Sequence, residues 1–590
     1  MTTRGSQSAE TPEALLERFG LEHFRPGQRE AVQAALDGRD SLVVMPTGGG
    51  KSLCYQLPAL ADIGLVVVVS PLIALMSDQL ARLTGAGVRA SMLASGMQDG
   101  HNSRALAEIE SGESSLVLAA PERFASSAFR DALARRTVSL FVVDEAHCVA
   151  EWGHDFRPDY LRLHEAIISL GRPAVMAATA TATPKVAQEI AERLELRDPV
   201  SIRSGFDRPN LTFDVVSVEG KGSLDRKRAV LMHVIGEQAA RPAIVYCGTR
   251  KDTDELAGRL SAEGIWAVSY HAGMSPQDRR DSQQAFMDGD AEVVVATNAF
   301  GMGVDKADVR TVAHWALPTS LEAYYQEAGR GGRDGDQARA LLLASRMDLG
   351  RLIRFINERE MNVEDVRHYV GRLRRAGGDE EVAIGHGELG ERDRVLLSIA
   401  ERSGAVELRP GGRDGLLVRP TGAGSPRLAH LAIKQARDRG WAAYHSIERY
   451  SAGDQVCRRR QILDHFGDAE EGRPTGRCCD VCDPDPEIRR VLEAPIAARR
   501  GRASRGSKGR AATPEAGLDP VSDSEFEKLR AWRMERAQGK PAYTVAPDAT
   551  LEEVLRRRPS STGQLIEIRG IGPAFIEKHG SSLLETLASL

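Results

Sequence analysis

Lys51 and Ser52 follow three consecutive glycines in Ser41-Leu-Val-Val-Met-Pro-Thr-Gly-Gly-Gly-Lys-Ser52. An ammonium and a hydroxyl at the end of a glycine-rich turn are groups that hold a polyphosphate and its metal. The apolar run before the turn reads as a strand, and the segment after it as a helix. Glycines let the backbone curl so that successive N–H groups face one anion, at the positive end of the following helix. Thr47, Gly48, Gly49 and Gly50 would form that cradle, Lys51 would reach the β- and γ-phosphates, and Ser52 would ligate Mg²⁺. Met45 stands where the usual pattern has its first glycine. An ordinary glycine-rich turn is therefore the competing reading.

Two further clusters complement this loop. Val142-Val-Asp-Glu-Ala-His147 ends an apolar stretch in adjacent carboxylates, and the carboxyl ends of parallel strands form the ligand crevice of such sheets. Asp144 would hold Mg²⁺ there, and Glu145 would polarise an attacking water. Tyr324-Tyr-Gln-Glu-Ala-Gly-Arg-Gly-Gly-Arg-Asp334 carries Arg330 and Arg333 on one helical face, with glycines that permit close approach. That spacing suits bidentate contact with a phosphoryl group. An arginine from one lobe acting on a nucleotide held by another makes hydrolysis depend on cleft closure. The sequence does not separate the two arginines. The plain alternatives are a surface turn with two acids and a solvated basic turn.

Of seven cysteines, Cys54, Cys148 and Cys247 stand alone, whereas Cys457, Cys478, Cys479 and Cys482 cluster. That pattern suggests a reducing compartment and a tetrahedral Zn²⁺ site, not a disulfide framework. A packed thiol cluster is the alternative.

The elements that must position these groups follow from periodicity. At 590 residues the chain is too long for one core, and about 3–5 domains are expected. A net charge of −5 announces no global basic field, so nucleic-acid contact must come from local patches. Residues 1–10 lack the apolar centre of a signal peptide, and no apolar run reaches the ~18–20 residues of a membrane span. The expected location is cytoplasmic, nucleoid-associated if the chain is bacterial, with no membrane.

Apolar runs at 42–45, 65–69, 116–118, 139–143 and 174–178 alternate with amphipathic segments, and a second series falls at 243–247, 266–270, 292–296, 311–315 and 340–343. Both read as parallel strands covered by helices. The expected division is a disordered start at 1–12, lobe 1 at 13–205, lobe 2 at 206–345, and a helical and winged-helix-like region at 346–450. A zinc-binding subdomain at 451–484, a linker at 485–520 and a small all-α domain at 521–590 follow. Within the third region, residues 346–375 read as helix and 391–404 as helix before a hairpin; a plain decorating hairpin is the alternative. Arg499, Arg500, Arg502, Arg505, Lys508 and Arg510, with Gly and Ser between them, cannot build a core and read as a solvated tether.

Several stretches in order carry a resemblance to the RecQ family of superfamily 2 DNA helicases. They are Phe24-Arg-Pro-Gly-Gln28, Val69-Ser-Pro-Leu-Ile-Ala-Leu-Met-Ser-Asp-Gln79, residues 144–160, Ala178-Thr-Ala-Thr-Ala-Thr183, Phe206-Asp-Arg-Pro-Asn210, residues 296–306 and residues 326–335. The resemblance implies two RecA-like lobes and ATP hydrolysis coupled to 3′→5′ movement on single-stranded DNA. It implies adenine reading by Phe24, Arg25 and Gln28, with Gln28 paired to the base edge and Arg25 stacked. Gln326 joins the nucleotide site, and Thr179 and Thr181 connect it to the DNA groove. Residues 148–160 resemble the family's aromatic-rich loop, in which Trp152, His154, Phe156 and Arg157 would sense DNA by stacking on unpaired bases.

The zinc group resembles the family's zinc subdomain but departs from it, because Cys478 and Cys479 are adjacent; His465 is the alternative to Cys478. The family's winged helix follows the zinc subdomain, whereas here the candidate precedes it, with no aromatic at its hairpin tip. Residues 523–590 resemble an HRDC domain, with a helix-hairpin-helix-like turn at 568–574 flanked by Arg569 and Lys578. The expected reading is an ATP-, Mg²⁺- and Zn²⁺-dependent DNA helicase, monomeric, acting on single-stranded and forked DNA. Single-strand-binding and recombination proteins would be its partners. An RNA-remodelling enzyme, or a DNA-stimulated ATPase that remodels nucleoprotein without efficient unwinding, are the rivals.

Overall fold

The computed structural model describes residues 10–61, 63–71, 73–94, 97, 100–150, 160, 163–220, 222–301, 306–377, 381–385, 389–410, 415–453, 455–494, 523–537, 545–546, 548–566, 568, 571–572 and 575–590. Among the described residues, seven strands build the first lobe: β1 (Ser41–Val44), β2 (Leu65–Val69), β3 (Ala90–Leu93), β4 (Leu116–Ala119), β5 (Val138–Val143), β6 (Ala174–Thr179) and β7 (Val200–Arg203). They pair in parallel in the order β3-β4-β2-β5-β6-β1-β7. Alternate side chains enter opposite cores: Val43, Val66, Val68 and Val142 one, Leu42, Val44, Val67 and Val143 the other. Burial on both faces is why these strands read as unbroken apolar runs.

The second lobe holds β8 (Leu211–Ser217), β9 (Ala243–Tyr246), β10 (Ala267–Tyr270), β11 (Val293–Ala296), β12 (Thr311–His314) and β13 (Ala338–Ala344), all parallel, in the order β10-β11-β9-β12-β13-β8. Strand β8 escaped the sequence reading because Asp214 interrupts it. That carboxylate is buried between Arg339, whose Nε is 2.6 Å away, and Arg477. Strand β7 escaped because it is a short, half-exposed edge.

Three other expectations need correction. Residues 346–375 form two helices, Arg346–Glu358 and Val363–Gly377. Asn362 and Asp365 start the second as a reciprocal capping box, with N–H···O contacts of 2.9 and 2.8 Å. Glu10 and Thr11 belong to an ordered start: Thr11 Oγ1 accepts from Ala14 N–H at 3.3 Å and Glu10 pairs with Arg18 at 2.6 Å. The stretch assigned to the linker opens with a helix, Pro486–Glu493, whose Ile488, Val491 and Leu492 pack into the core of lobe 2.

Helix Arg346–Glu358 packs against the long helix Pro426–Ala452, with Ile356 beside Gly440. Between them sits a module with its own apolar core of Tyr369, Leu373, Leu397, Ala400, Val406 and Val418. It consists of Val363–Gly377, β14 (Val382–Gly385), helix Glu391–Arg402, β15 (Val406–Pro410) and β16 (Gly415–Pro420), in an antiparallel sheet ordered β14-β16-β15. This is the helix-then-hairpin order read from sequence; the hairpin tip at 411–414 lies outside the described residues.

The cysteine-bearing segment caps the exposed edge of lobe 2. Phe213 N–H donates to the Cys478 carbonyl at 3.1 Å and Asp480 N–H to the Phe213 carbonyl at 3.3 Å, so residues 478–480 extend the sheet beyond β8. The C-terminal unit packs helices Asp523–Ala537, Asp548–Arg557 and Ser581–Ala588 around Leu529, Leu551, Val554, Leu565 and Leu583.

Candidate active site between two lobes

Strand β1 delivers the phosphate loop to the carboxyl end of the first sheet, next to β6 and Thr179. Gly48 and Gly50 adopt φ of +83° and +81°, the left-handed region that L side chains avoid. Lys51 Nζ rests on the Met45 carbonyl at 3.2 Å, folded back over its own loop. Ser52 Oγ accepts from Gln79 Nε2 at 3.2 Å. Asp144 leaves β5 buried, 3.4 Å from Ser70 Oγ. Burial and then the neighbouring Glu145 carboxylate push Asp144 up to about 7. Two carboxylates confined beside Lys51 and Ser52 fit a divalent cation, which would relieve their repulsion. Glu145 itself sits at φ +48°, the kind of local strain that collects at working sites.

Gln28 and Arg25 occupy the rim of the same loop. Gln28 Nε2 donates to the carbonyls of Gly50 at 3.0 Å and Gly49 at 3.3 Å, its Oε1 accepts from Arg25 N–H at 2.8 Å, and an Arg25 guanidinium N–H donates to the Gly48 carbonyl. Phe24 packs into the small core beneath them. The structure thus gives Gln28 a loop-holding part that its sequence motif does not announce.

The second lobe separates the two arginines. The stem of Arg333 touches the phosphate loop, its Cγ 3.5 Å from where a Cβ on Gly48 would stand. Arg330 stays buried in lobe 2 beside Tyr246, with Nη2 2.7 Å from the corresponding point on Gly301. Gln326 lies in the preceding helix, Leu321–Ala328.

His147 is a member of the site that the sequence reading passed over. Buried, it lies 3.3 Å from Glu145 Oε2 and 3.0 Å from Thr179 Oγ1, joining the carboxylate strand to β6. Thr181 is buried close by and its N–H donates to Thr179 Oγ1 at 3.4 Å. Trp152, His154, Phe156 and Arg157 lie outside the described residues, but the far end of their loop returns: Tyr160 Oη donates to the Asp144 carbonyl at 3.2 Å.

Ligand atoms of Cys457, Cys478, Cys479 and Cys482 lie within 4.8 Å of one another. Four thiols this close, one of them buried, match the donor set of a tetrahedral Zn²⁺ site. His465 is elsewhere, its Nε2 2.8 Å from Glu322. The adjacency of Cys478 and Cys479 therefore does not expel Cys478.

Known protein families match these segments in order. The DEAD/DEAH box helicase model covers residues 25–190, the helicase conserved C-terminal domain 226–335, the RecQ zinc-binding model 427–483 and the HRDC domain 524–587. The chain is 33% identical over 597 residues to the ATP-dependent DNA helicase RecQ of Bacillus subtilis, covering 97% of both proteins. It belongs to the RecQ family of DNA helicases. The RecQ of Haemophilus influenzae is 32% identical, with 96% of this chain and 94% of that protein covered. The probable helicase RecS of B. subtilis reaches 39% over 355 residues, 60% of this chain and 71% of that protein.

Within this RecQ chain the zinc-binding match encloses the four cysteines, while none of the four matches spans 336–426, where the inserted module sits. In that module exposed arginines are largely matched by acids: Arg372 with Asp393, Arg392 with Asp365, Arg409 with Glu381 and Arg419 with Glu407. In the HRDC domain Arg569, Gly570, Pro573 and Ala574 lie outside the described residues. Gly572 lies close to Asp290 of lobe 2, and Lys578 Nζ is 3.8 Å from Asp281. No helix among the described residues is long and apolar enough to cross a membrane.

Proposed function

We propose that this chain is an ATP- and Mg²⁺-dependent helicase that moves 3′→5′ on single-stranded DNA and separates duplexes at forks. The observation that carries the motor is the contact of the Arg333 stem of lobe 2 with Gly48 of the phosphate loop in lobe 1. A charge supplied across the cleft makes hydrolysis conditional on closure, and opening afterwards turns the reaction into lobe movement. Lys51 would hold the β- and γ-phosphates, and Ser52 and Asp144 would hold Mg²⁺, whose charge would offset that of the phosphates; Glu145 would orient the attacking water and Arg333 would stabilise the transferring phosphoryl group. Arg330 supports that loop from within lobe 2. Phe24, Arg25, Gln28 and Gln326 take the adenine side, with Gln28 exchanging a loop carbonyl for the base edge.

Support for DNA over RNA comes from relatives named DNA helicases across nearly the whole chain. Trp152, His154, Phe156 and Arg157 sense unpaired bases, and Thr179, Thr181 and His147 pass that contact to Glu145. Cys457, Cys478, Cys479 and Cys482 would hold Zn²⁺, which would tie the helix Arg458–His465 to the segment beside β8. The protein acts as a monomer, in the cytoplasm, with the domain divisions given above apart from the corrected ends. Its protein partners are those of recombination and single-strand binding.

The test is strand displacement on duplexes with 3′ or 5′ overhangs and on forks, with ATP turnover read in parallel on DNA and RNA. Unwinding confined to 3′ overhangs and forks, with DNA the better activator, supports the reading. Strong ATPase with no displacement of any substrate would leave the nucleoprotein-remodelling rival instead.

A further inference from the structure

Phe206-Asp-Arg-Pro-Asn210 joins the two lobes, and the part played by Arg208 emerges only in three dimensions. Its side chain enters the seam, where Nη1 donates to the Thr47 carbonyl of the phosphate loop at 3.1 Å and to the Gly329 carbonyl at 2.9 Å. Nη2 donates to the carbonyls of Gly331 at 2.8 Å and Gly332 at 3.2 Å. One guanidinium thus serves backbone acceptors on both lobes, and those of lobe 2 flank Arg330 and Arg333. A Cβ on Gly329 would crowd the Tyr325 carbonyl at 3.1 Å and Thr47 Cβ at 3.3 Å, so glycine eases the fit there.

The surroundings hold this arrangement from behind. Asn210 Nδ2 donates to the carbonyls of Gly332 and Asp336, both at 2.7 Å, bracing the other side of the arginine loop. Asp207 accepts from Arg459 and from Arg473 N–H, and Arg459 Nη1 also donates to the Arg208 carbonyl at 2.8 Å. Phe206 stacks on Phe466 with centroids 4.4 Å apart. The segment that carries Arg208 is therefore gripped by the zinc-binding subdomain.

We propose that Arg208 is a positioning residue that sets Arg333 over the phosphate loop when the lobes meet. A planar fork with five donors can span several carbonyls at fixed angles, which the three donors of one ammonium cannot do from a single point. Arg208 aims its N–H groups at backbone carbonyls, so it acts on nucleotide through the loops it holds. This rests on the assignment of Arg333 above. A misplacement of about 1 Å in a catalytic group costs about 10²-fold in rate, so losing this alignment lowers turnover more than ATP affinity.

The experiment uses the full chain with Arg208→Gln, Arg208→Lys, Arg333→Ala and the double substitution Arg208→Gln with Arg333→Ala. For Arg208→Gln, kcat of DNA-stimulated hydrolysis should fall by about 10²-fold while KM for ATP stays nearly constant. Binding of ADP with aluminium fluoride, a mimic of the transferring phosphoryl group, should lose its advantage over ADP alone. The double variant should be little slower than Arg333→Ala, because Arg208 works through Arg333. Arg208→Lys should show the same pattern, more mildly, and carries the test if Arg208→Gln melts too low to assay. Wild-type turnover in Arg208→Gln, an equal loss of ADP and of ADP with aluminium fluoride, or rate losses that multiply in the double variant would overturn the inference. Full turnover in Arg333→Ala would overturn the Arg333 assignment and this inference together. An inactive Arg333→Ala beside an unimpaired Arg208→Gln would overturn this inference alone.

Discussion

His465 pairs with Glu322, Nε2 to Oε1 at 2.8 Å, across the join between the zinc-binding helix Arg458–His465 and the helix that leads into the arginine loop. Burial raises the Glu322 carboxyl, but the His465 imidazole outweighs it and pulls Glu322 down to about 2 from the ordinary 4.5. A folded pKa below the unfolded one stabilises fully above about pH 4.5 and is lost as pH falls towards 2. Denaturant unfolding of wild type and Glu322→Gln should therefore differ more at about pH 5 than at about pH 2, with the gap closing on acidification. A gap independent of pH would show that the pair contributes by packing alone.

The zinc ligands make the complementary test. Purified protein should carry one zinc per chain, and Cys478→Ser should lose it while His465→Ala keeps it. Structural zinc is worth about 10–16 kcal/mol in small peptide folds, so chelation should lower the melting temperature. It should also loosen the grip of Arg459 on residues 207–211. Metal retained in Cys478→Ser and lost in His465→Ala would reverse the ligand assignment.

At the nucleotide, Lys51→Ala should abolish hydrolysis while DNA binding largely survives, because contacts to backbone phosphates supply most affinity. Glu145→Gln should bind ATP yet turn it over very slowly, as expected of the water-orienting group. Rapid single-turnover hydrolysis by Glu145→Gln would remove that role.

The aromatic loop links Asp144 at its start to Tyr160 at its end, through the 3.2 Å contact of Tyr160 Oη with the Asp144 carbonyl. Base stacking worth about 1–3 kcal/mol is enough to bias a two-state loop about tenfold. Trp152→Ala or Phe156→Ala should lower unwinding and DNA-stimulated ATPase far more than basal ATPase or DNA affinity. ATPase measured against single-stranded DNA concentration decides: full turnover at saturation would mean that the loop binds DNA without signalling.

The candidate nucleotide and metal sites were legible in the chain because their patterns are largely local. Three glycines before Lys51 and Ser52, Asp144 beside Glu145 at the end of an apolar run, and Cys478, Cys479 and Cys482 within five residues are each patterns that neighbours in the chain supply. The two parallel sheets were legible for a similar reason, since strands buried on both faces must be apolar throughout. Strand β8 was hidden because Asp214 needs Arg339 and Arg477, residues far along the chain, before it can be buried. Distant approach also decided the rest. Arg333 and Arg330 are equivalent as sequence, and only the packing of lobe 2 against Gly48 tells them apart. Cys478 and His465 were rivals until Glu322 arrived from another lobe to engage the histidine. Arg208 looks like one more charge in a linker, because the carbonyls it holds on Thr47 and Gly329 meet only when the two sheets close on each other.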